Sequence, residues 1–192
     1  MLQSDLTRTR QLHKRRRGAL RIIAIGALVC ARALHAAAGP EPAARVRSTN
    51  ATILELLKEG GERSATFRSL VEAIDHSTGI VYVEFGYCAF GHLRGCLLPF
   101  IAVAHGDRYL RILVSPDKNQ RSHDQLLALL AHEMRHALEV LDHKDVVDVR
   151  TMEAMYRKFG TPLKGQTGYE TSAARAAGDA VLAELSAKRQ TP

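Results

Sequence analysis

The most chemically distinctive segment of the sequence is His132-Glu133-Met134-Arg135-His136. Two histidines four residues apart lie one above the other on a helix, so both imidazoles can bind the same metal ion. Glu133 would lie beside them, close enough to hold a water molecule on that ion and to accept its proton. With zinc as the ion, the pKa of the water falls to about 7 and the resulting nucleophile can attack a carbonyl. The spacing therefore predicts a zinc site that activates water.

The residues around this motif favour a buried site. Apolar residues precede it at 126–131 and follow it at Ala137 and Leu138. Charged side chains buried in an apolar helix without a partner are costly, and a metal ion is such a partner. A solvated polar face of the helix is the alternative interpretation.

At these residues the sequence resembles the zincin metallopeptidases, and among them the small gluzincin-like members found in bacteria as single domains. The resemblance covers residues 122–141 and, more weakly, residues 169–187. It implies that His132 and His136 are zinc ligands, that Glu133 is the general base, and that the substrate is a peptide or protein. It also implies a small sheet whose edge strand receives the extended substrate. Arg135 departs from the family pattern, in which the two middle residues are usually uncharged.

A third ligand is needed, because catalytic zinc takes three protein ligands and keeps one position open. Glu170 is the predicted ligand, since it would begin the inward-facing stripe of the last helix. The stripe continues through Ala173, Ala174, Ala177, Val181 and Leu185. The resemblance agrees, because gluzincin-like proteins take a glutamate from a following helix. The alternatives are a glutamate stabilised only by the helix dipole, by ~0.3–1 kcal/mol, or ligation by Asp142 or His143, which lie more than a turn beyond His136.

Tyr169 is predicted to donate a hydrogen bond to the oxyanion that forms during catalysis, as a tyrosine or histidine does in many zincins. Tyr156 is the second choice, and core packing is the alternative for both. The other histidines after residue 38 lie beside turns or caps and are not expected to touch the metal; these are His76, His92, His105, His123 and His143.

The pattern of apolar residues and breakers predicts an α+β domain over residues 50–190, in which a small antiparallel sheet packs on a helical bundle, as in a minimal zincin. The predicted helices are Thr52–Lys58 (ending at Gly60-Gly61), one beginning at Ser64, Ser122–Leu141, Thr151–Phe159 and Tyr169–Ala187. The predicted strands are Ile80–Phe85, Cys96–Ala104 and Tyr109–Ser115, the last two joined by a tight hairpin.

The N-terminal region accounts for the charge of the chain. Residues 1–38 contain eight lysines and arginines and one aspartate, which equals the whole net charge of +7, so residues 39–192 are neutral. A neutral domain argues against a nucleic-acid partner. A basic cluster, a short apolar run and small residues follow one another in residues 14–38, which is typical of a signal peptide, with residues 39–49 as a linker. An uncleaved membrane anchor over residues 22–38 is the alternative.

Two of the three cysteines, Cys88 and Cys96, would remain after removal of Cys30 with the leader. In an exported protein such a pair predicts a disulfide, and two buried thiols on neighbouring strands are the alternative. The function predicted from the sequence is that of an exported zinc-dependent hydrolase, periplasmic or secreted, acting on peptides. The alternatives are an exported protein that binds metal without catalysis, and a zinc hydrolase of other amides or esters.

Overall fold

The computed structural model of the protein describes residues 44–89, 93–116, 122–164 and 168–189. The predicted signal peptide lies outside these residues. The elements in chain order are β1 (Val46–Arg47), α1 (Ala51–Arg63), α2 (Ala65–Asp75), β2 (Gly79–Phe85), β3 (Gly95–Leu97), β4 (Ala102–Ala104), β5 (Asp107–Val114), α3 (His123–Asp142), α4 (Val149–Phe159), β6 (Thr161–Pro162), β7 (Tyr169–Glu170) and α5 (Ser172–Arg189). The α+β class is confirmed. Among the described helices, none has the length and apolarity needed to cross a membrane.

The main sheet is mixed, whereas an antiparallel sheet was predicted. Strands β1, β2 and β5 are parallel, while β3 and β4 both pair antiparallel with β5. The predicted strand Cys96–Ala104 is thus two strands, β3 and β4, separated by a stretch that contains Pro99, which has no N–H to donate. Strand direction could not be read from the pattern, because a buried strand is apolar in either direction.

Two local boundaries also differ from the sequence prediction. The segment interpreted as a linker, residues 39–49, contains strand β1, where Val46 is buried and pairs with Val81. Helix α1 runs through Gly60-Gly61 instead of ending there. Gly60 is present in the helix because of packing and does not mark its end. A Cβ at this position would lie 2.7 Å from the ring of Phe67 on α2. The glycine therefore makes room for a neighbouring helix.

Helix α3, which carries the histidine motif, lies at the centre of the described fold. It begins as predicted at Ser122, whose side chain and that of Gln125 form a capping box. Several of its apolar side chains, among them Leu127, Leu130 and Met134, are fully buried in the core. The helix contacts α2, α5 and the sheet, so its motif is held from several sides.

The predicted disulfide is confirmed by the distance between Cys88 and Cys96. Their sulfur atoms lie 2.14 Å apart and their Cα atoms 6.1 Å apart, as expected for a bonded pair. The bond ties β3 to the segment that follows β2. Because β3 is an edge of the sheet, the disulfide fixes an edge strand that pairs on one side only.

The C-terminal end of α3 is held by a buried arginine of β5. Arg108 is 5% exposed, and its guanidinium donates hydrogen bonds to the carbonyl oxygens of Val140, His143 and Val146 at 2.7–3.1 Å, with a further bond to Leu141. A cation at this end of a helix pairs with the last carbonyls and with the helix dipole.

Replacement of Arg108 by methionine is expected to lower the free energy of unfolding by about 3 kcal/mol or more, because it leaves several buried carbonyls without a donor. Urea unfolding followed by circular dichroism measures the change. Arg111→Met is the matched control on the same strand. Its side chain is 54% exposed and pairs with Glu84 at the surface, an interaction that typically contributes about 0–1 kcal/mol. Equal losses in the two variants would contradict this role of Arg108.

Candidate metal centre

Three side chains converge at one face of α3. His132 Nε2 lies 3.6 Å from Glu170 Oε2, and His136 Nε2 lies 3.6 Å from Glu170 Oε1. One ligand atom from each of the three residues lies within 4.8 Å of the others. Zinc bonds of about 2.0–2.1 Å place the ligands of a tetrahedral site about 3.3–3.4 Å apart. The donor set and its spacing therefore fit a divalent cation after small movements of the side chains.

The two histidines take their positions from the helix. One turn separates them, and their rings meet edge to face with centroids 4.9 Å apart. The His136 side chain is 8% exposed and that of His132 is 20% exposed. The two histidines thus share one face of the helix, as predicted, and His132 is the one nearer to solvent.

Glu170 reaches the histidines from a different element than predicted. It lies in β7, where it pairs with Thr161 of β6, and α5 begins only at Ser172. The stripe of α5 is buried at Ala174 and further along, but Ala173 is exposed. The argument that Glu170 begins a helical stripe was therefore wrong, although the residue does lie beside both histidines. Strand β7 was not predicted, because a strand of two residues has no readable period.

Glu139 is a candidate site residue that was not among those predicted from the sequence. Its Oε2 accepts a hydrogen bond from Nδ1 of His136 at 3.0 Å, and its Oε1 accepts one from the hydroxyl of Thr171 at 2.7 Å. The bond to Nδ1 leaves Nε2 of His136 as the atom that can bind a cation, the arrangement usual for metal-bound histidine. The signal in the sequence for this contact was an acidic residue three positions after the predicted ligand His136, in a helix expected to be buried.

Arg135, the departure from the family pattern, has a partner in this arrangement. Its Nε lies 3.8 Å from Oε1 of Glu139. The guanidinium thus brings a positive charge next to a carboxylate that is only 6% exposed. A charged residue inside the motif is tolerated here because it balances that buried acid.

The protonation equilibria reflect the excess of carboxylates around His136. Burial opposes its protonation, but hydrogen bonds to Glu139 and Glu170 and the charge of Glu133 outweigh burial and raise its pKa to about 9. Burial and the neighbouring His136 lower the pKa of His132. Despite burial, hydrogen bonds to His136 keep the pKa of Glu139 and of Glu170 below the ordinary value. Three carboxylates around one imidazole form an environment that favours a cation.

Two tyrosines lie near the centre. The Tyr156 hydroxyl donates to the carbonyl oxygen of His136 at 3.2 Å and lies 3.3 Å from its Nδ1, and burial raises the pKa of this tyrosine. The Tyr169 ring stacks on that of Tyr156 with centroids 5.9 Å apart. Its side chain lies near Arg157, which is on the exposed side of α4 and pairs with Glu153. The oxyanion role of Tyr169 remains a prediction, and Tyr156 supports His136.

Glu133 is buried against the edge strand of the sheet. It is 5% exposed, and a Cβ built on Gly95 of β3 would lie 3.0 Å from its Oε1. The sequence prediction left Gly95 outside the strand that begins at Cys96. In the structure it is a strand residue whose missing side chain lets β3 approach the carboxylate.

A cleft of about 560 Å³ opens in front of these residues. It is lined by His132, Glu133, His136 and Glu170, with β3 on one side and residues of α4 and the β6–β7 pair on the other. The second wall is largely apolar and includes Val149, Met152 and Leu163. This combination of a few convergent polar groups and apolar walls is typical of a substrate site.

The competing ligands named from the sequence lie elsewhere. Asp142 ends α3 and is exposed, and the His143 ring stacks on Phe159. His123 pairs with Glu59, and His76 bonds to a backbone carbonyl of its own helix. Among the described residues, His132, His136 and Glu170 are the one group of three that could share a metal ion.

No protein-family model, curated protein or solved structure shows significant similarity to this chain. The resemblance to zincins therefore stays a prediction from residues 122–141 and 169–187 of this sequence.

Replacing Glu139 by glutamine is expected to weaken zinc binding by about tenfold to a hundredfold, because the amide cannot hold the imidazole of His136 as a carboxylate does. Competition with a chromophoric chelator measures the dissociation constant. Glu62→Gln, on the exposed side of α1, is the matched control and should bind zinc as the unmodified protein does. Unchanged affinity in the Glu139 variant would show that this bond does not support the metal centre.

Proposed function

We propose that this protein is an exported zinc-dependent hydrolase that cleaves peptide bonds. The observation that carries the proposal is the joint presence of three convergent ligand atoms, a buried carboxylate beside them and an open cleft in front of them. A purely structural metal site is closed by four protein ligands, whereas three ligands leave a position for water or substrate.

In this proposal the residues have separate roles. His132, His136 and Glu170 hold the zinc ion, and Glu139 orients His136 through Nδ1. Zinc, when bound, acts as a Lewis acid that polarises a carbonyl and lowers the pKa of water. Glu133 accepts the proton of the attacking water and passes it to the leaving amine. Its position against β3 places the carboxylate at the wall of the cleft.

A peptide as substrate is favoured by the edge of the sheet. Leu98 N–H donates to the carbonyl of Arg111, and Ser115 N–H donates to that of Arg94, so these residues form hydrogen-bonded pairs. Gly95 and Leu97 occupy the alternate positions, where N–H and C=O point away from β5. No described strand pairs with β3 on that side. An extended peptide can therefore add to this edge and lie in the cleft.

Export is part of the proposal. The disulfide between Cys88 and Cys96 is of a kind that persists in oxidising compartments, which supports a periplasmic or secreted location.

Two measurements test the proposal together. The purified protein should contain about one zinc ion per chain by elemental analysis, and it should degrade casein in a reaction that a chelator stops and added zinc restores. Protein that holds zinc but cleaves neither casein nor short peptides would contradict the peptidase assignment. Protein without affinity for zinc would contradict the metal centre as well.

A further inference from the structure

A second groove adjoins the cleft at His132. It has a volume of about 460 Å³ and is lined by Arg94, Leu129, His132, Arg175, Gly178 and Asp179, among others. His132 lines both spaces, so the groove and the cleft meet at this side chain. A polypeptide bound across the centre would thus contact both.

The groove depends on the close approach of α5 to α3. A Cβ on Gly178 would lie 3.2 Å from the carbonyl oxygen of Ala128 and 3.4 Å from Cβ of His132. Arg175 lies one turn before Gly178 on the same helix. Arg175 and His132 both line the groove, so the guanidinium and the imidazole face the same space.

The charges of the groove favour an anionic ligand. Arg94 and Arg175 are positive and Asp179 is negative, so the lining has a net positive charge. Arg175 is exposed and makes no ion pair within the described part of the chain. A guanidinium binds a carboxylate through two parallel hydrogen bonds. On the other side of His132, the wall of the cleft formed by α4 and the β6–β7 pair is largely apolar.

We infer that the groove binds a carboxylate of the substrate, so that the protein prefers peptides with an acidic group near the scissile bond and an apolar side chain across from it. The inference rests on the proposed peptidase function. The carboxylate can belong to an aspartate or glutamate side chain or to the C-terminus of the peptide, and Arg175 is the residue that determines the preference.

The test uses a peptide identified in the casein digest as the parent substrate. Glutamate, glutamine or lysine is placed in turn at each of the three positions on either side of the cleaved bond, with the C-terminus free or amidated. At one position the glutamate peptide should have a kcat/KM at least about fivefold above that of the glutamine peptide, the size of a partly exposed charge-assisted hydrogen bond. If only the free C-terminus gives the increase, the carboxylate is terminal.

Two variants of the groove should change the preference in opposite directions. Arg175→Glu should remove the advantage of glutamate and favour lysine, whereas Asp179→Asn should increase the advantage of glutamate. Arg68→Glu makes the same charge change on the exposed side of α2 and should leave the ratio unchanged. A ratio that Arg175→Glu does not alter, in a protein that still cleaves the parent peptide, would overturn this inference and leave the peptidase proposal intact. Zinc-loaded protein that cleaves no peptide would refute the proposed function and this preference with it.

Discussion

Glutamine in place of Glu133 is expected to leave the zinc content unchanged and to lower the rate of peptide hydrolysis by about a hundredfold to ten-thousandfold, the usual contribution of a general base. The amide has the shape of the carboxylate and fits against Gly95, where the space is tight. It cannot accept the proton of the attacking water. Elemental analysis and kcat/KM on one peptide substrate measure the two quantities in the same preparation.

Glu72→Gln, on the exposed side of α2, is the control for the removal of one negative charge and should retain full activity. If the Glu133 variant keeps full activity and its zinc, Glu133 is not the base, and the mechanism proposed for this site is wrong. If it loses zinc as well, Glu133 contributes to binding the ion, which the three-ligand arrangement does not predict.

Alanine in place of Glu170 is expected to weaken zinc binding by about a hundredfold or more and to abolish hydrolysis under metal-limited conditions. This estimate assigns the removed ligand its share of a binding free energy of about 10–16 kcal/mol for zinc. The carboxylate lies 3.6 Å from Nε2 of each histidine, so its removal opens one whole side of the centre. Chelator competition measures the affinity, and the hydrolysis assay is repeated across a zinc titration.

Glu153→Ala is the matched control, because Glu153 also lines the cleft but is outside the group of ligand atoms. Its zinc affinity should equal that of the unmodified protein. Asp142→Ala addresses the competing ligand suggested by the sequence and should also bind zinc normally. A loss of affinity in the Asp142 variant with normal affinity in the Glu170 variant would place the third ligand at the end of α3.

Short-range features of the protein could be derived from its sequence because local geometry determines them. The four-residue spacing of His132 and His136 specifies their common face on any helix. Ser122 predicts the start of α3, and the apolar residues around the motif predict its burial; both agree with the structure. The pairing of Cys88 with Cys96 followed from their number and short separation, and it too agrees.

Long-range arrangements were decided by tertiary structure. The direction of β5 relative to β2 depends on the path of the chain through β3 and β4, which leaves no trace in the alternation of side chains. The passage of α1 through Gly60 depends on the ring of Phe67 from the next helix. In both cases, residues outside the local sequence segment determine its structure.

The candidate site shows the same division. The sequence by itself determined the helical half of the candidate metal centre, His132, Glu133 and His136, because one turn of helix brings them together. Only the tertiary structure decided how the second half approaches: Glu170 arrives on β7, Thr171 anchors Glu139, and Arg94 and Arg175 come from separate elements to one groove. Glu170 and Thr171 directly precede α5, which packs on α3, and the free energy of that packing is spread over many side chains that no single motif records.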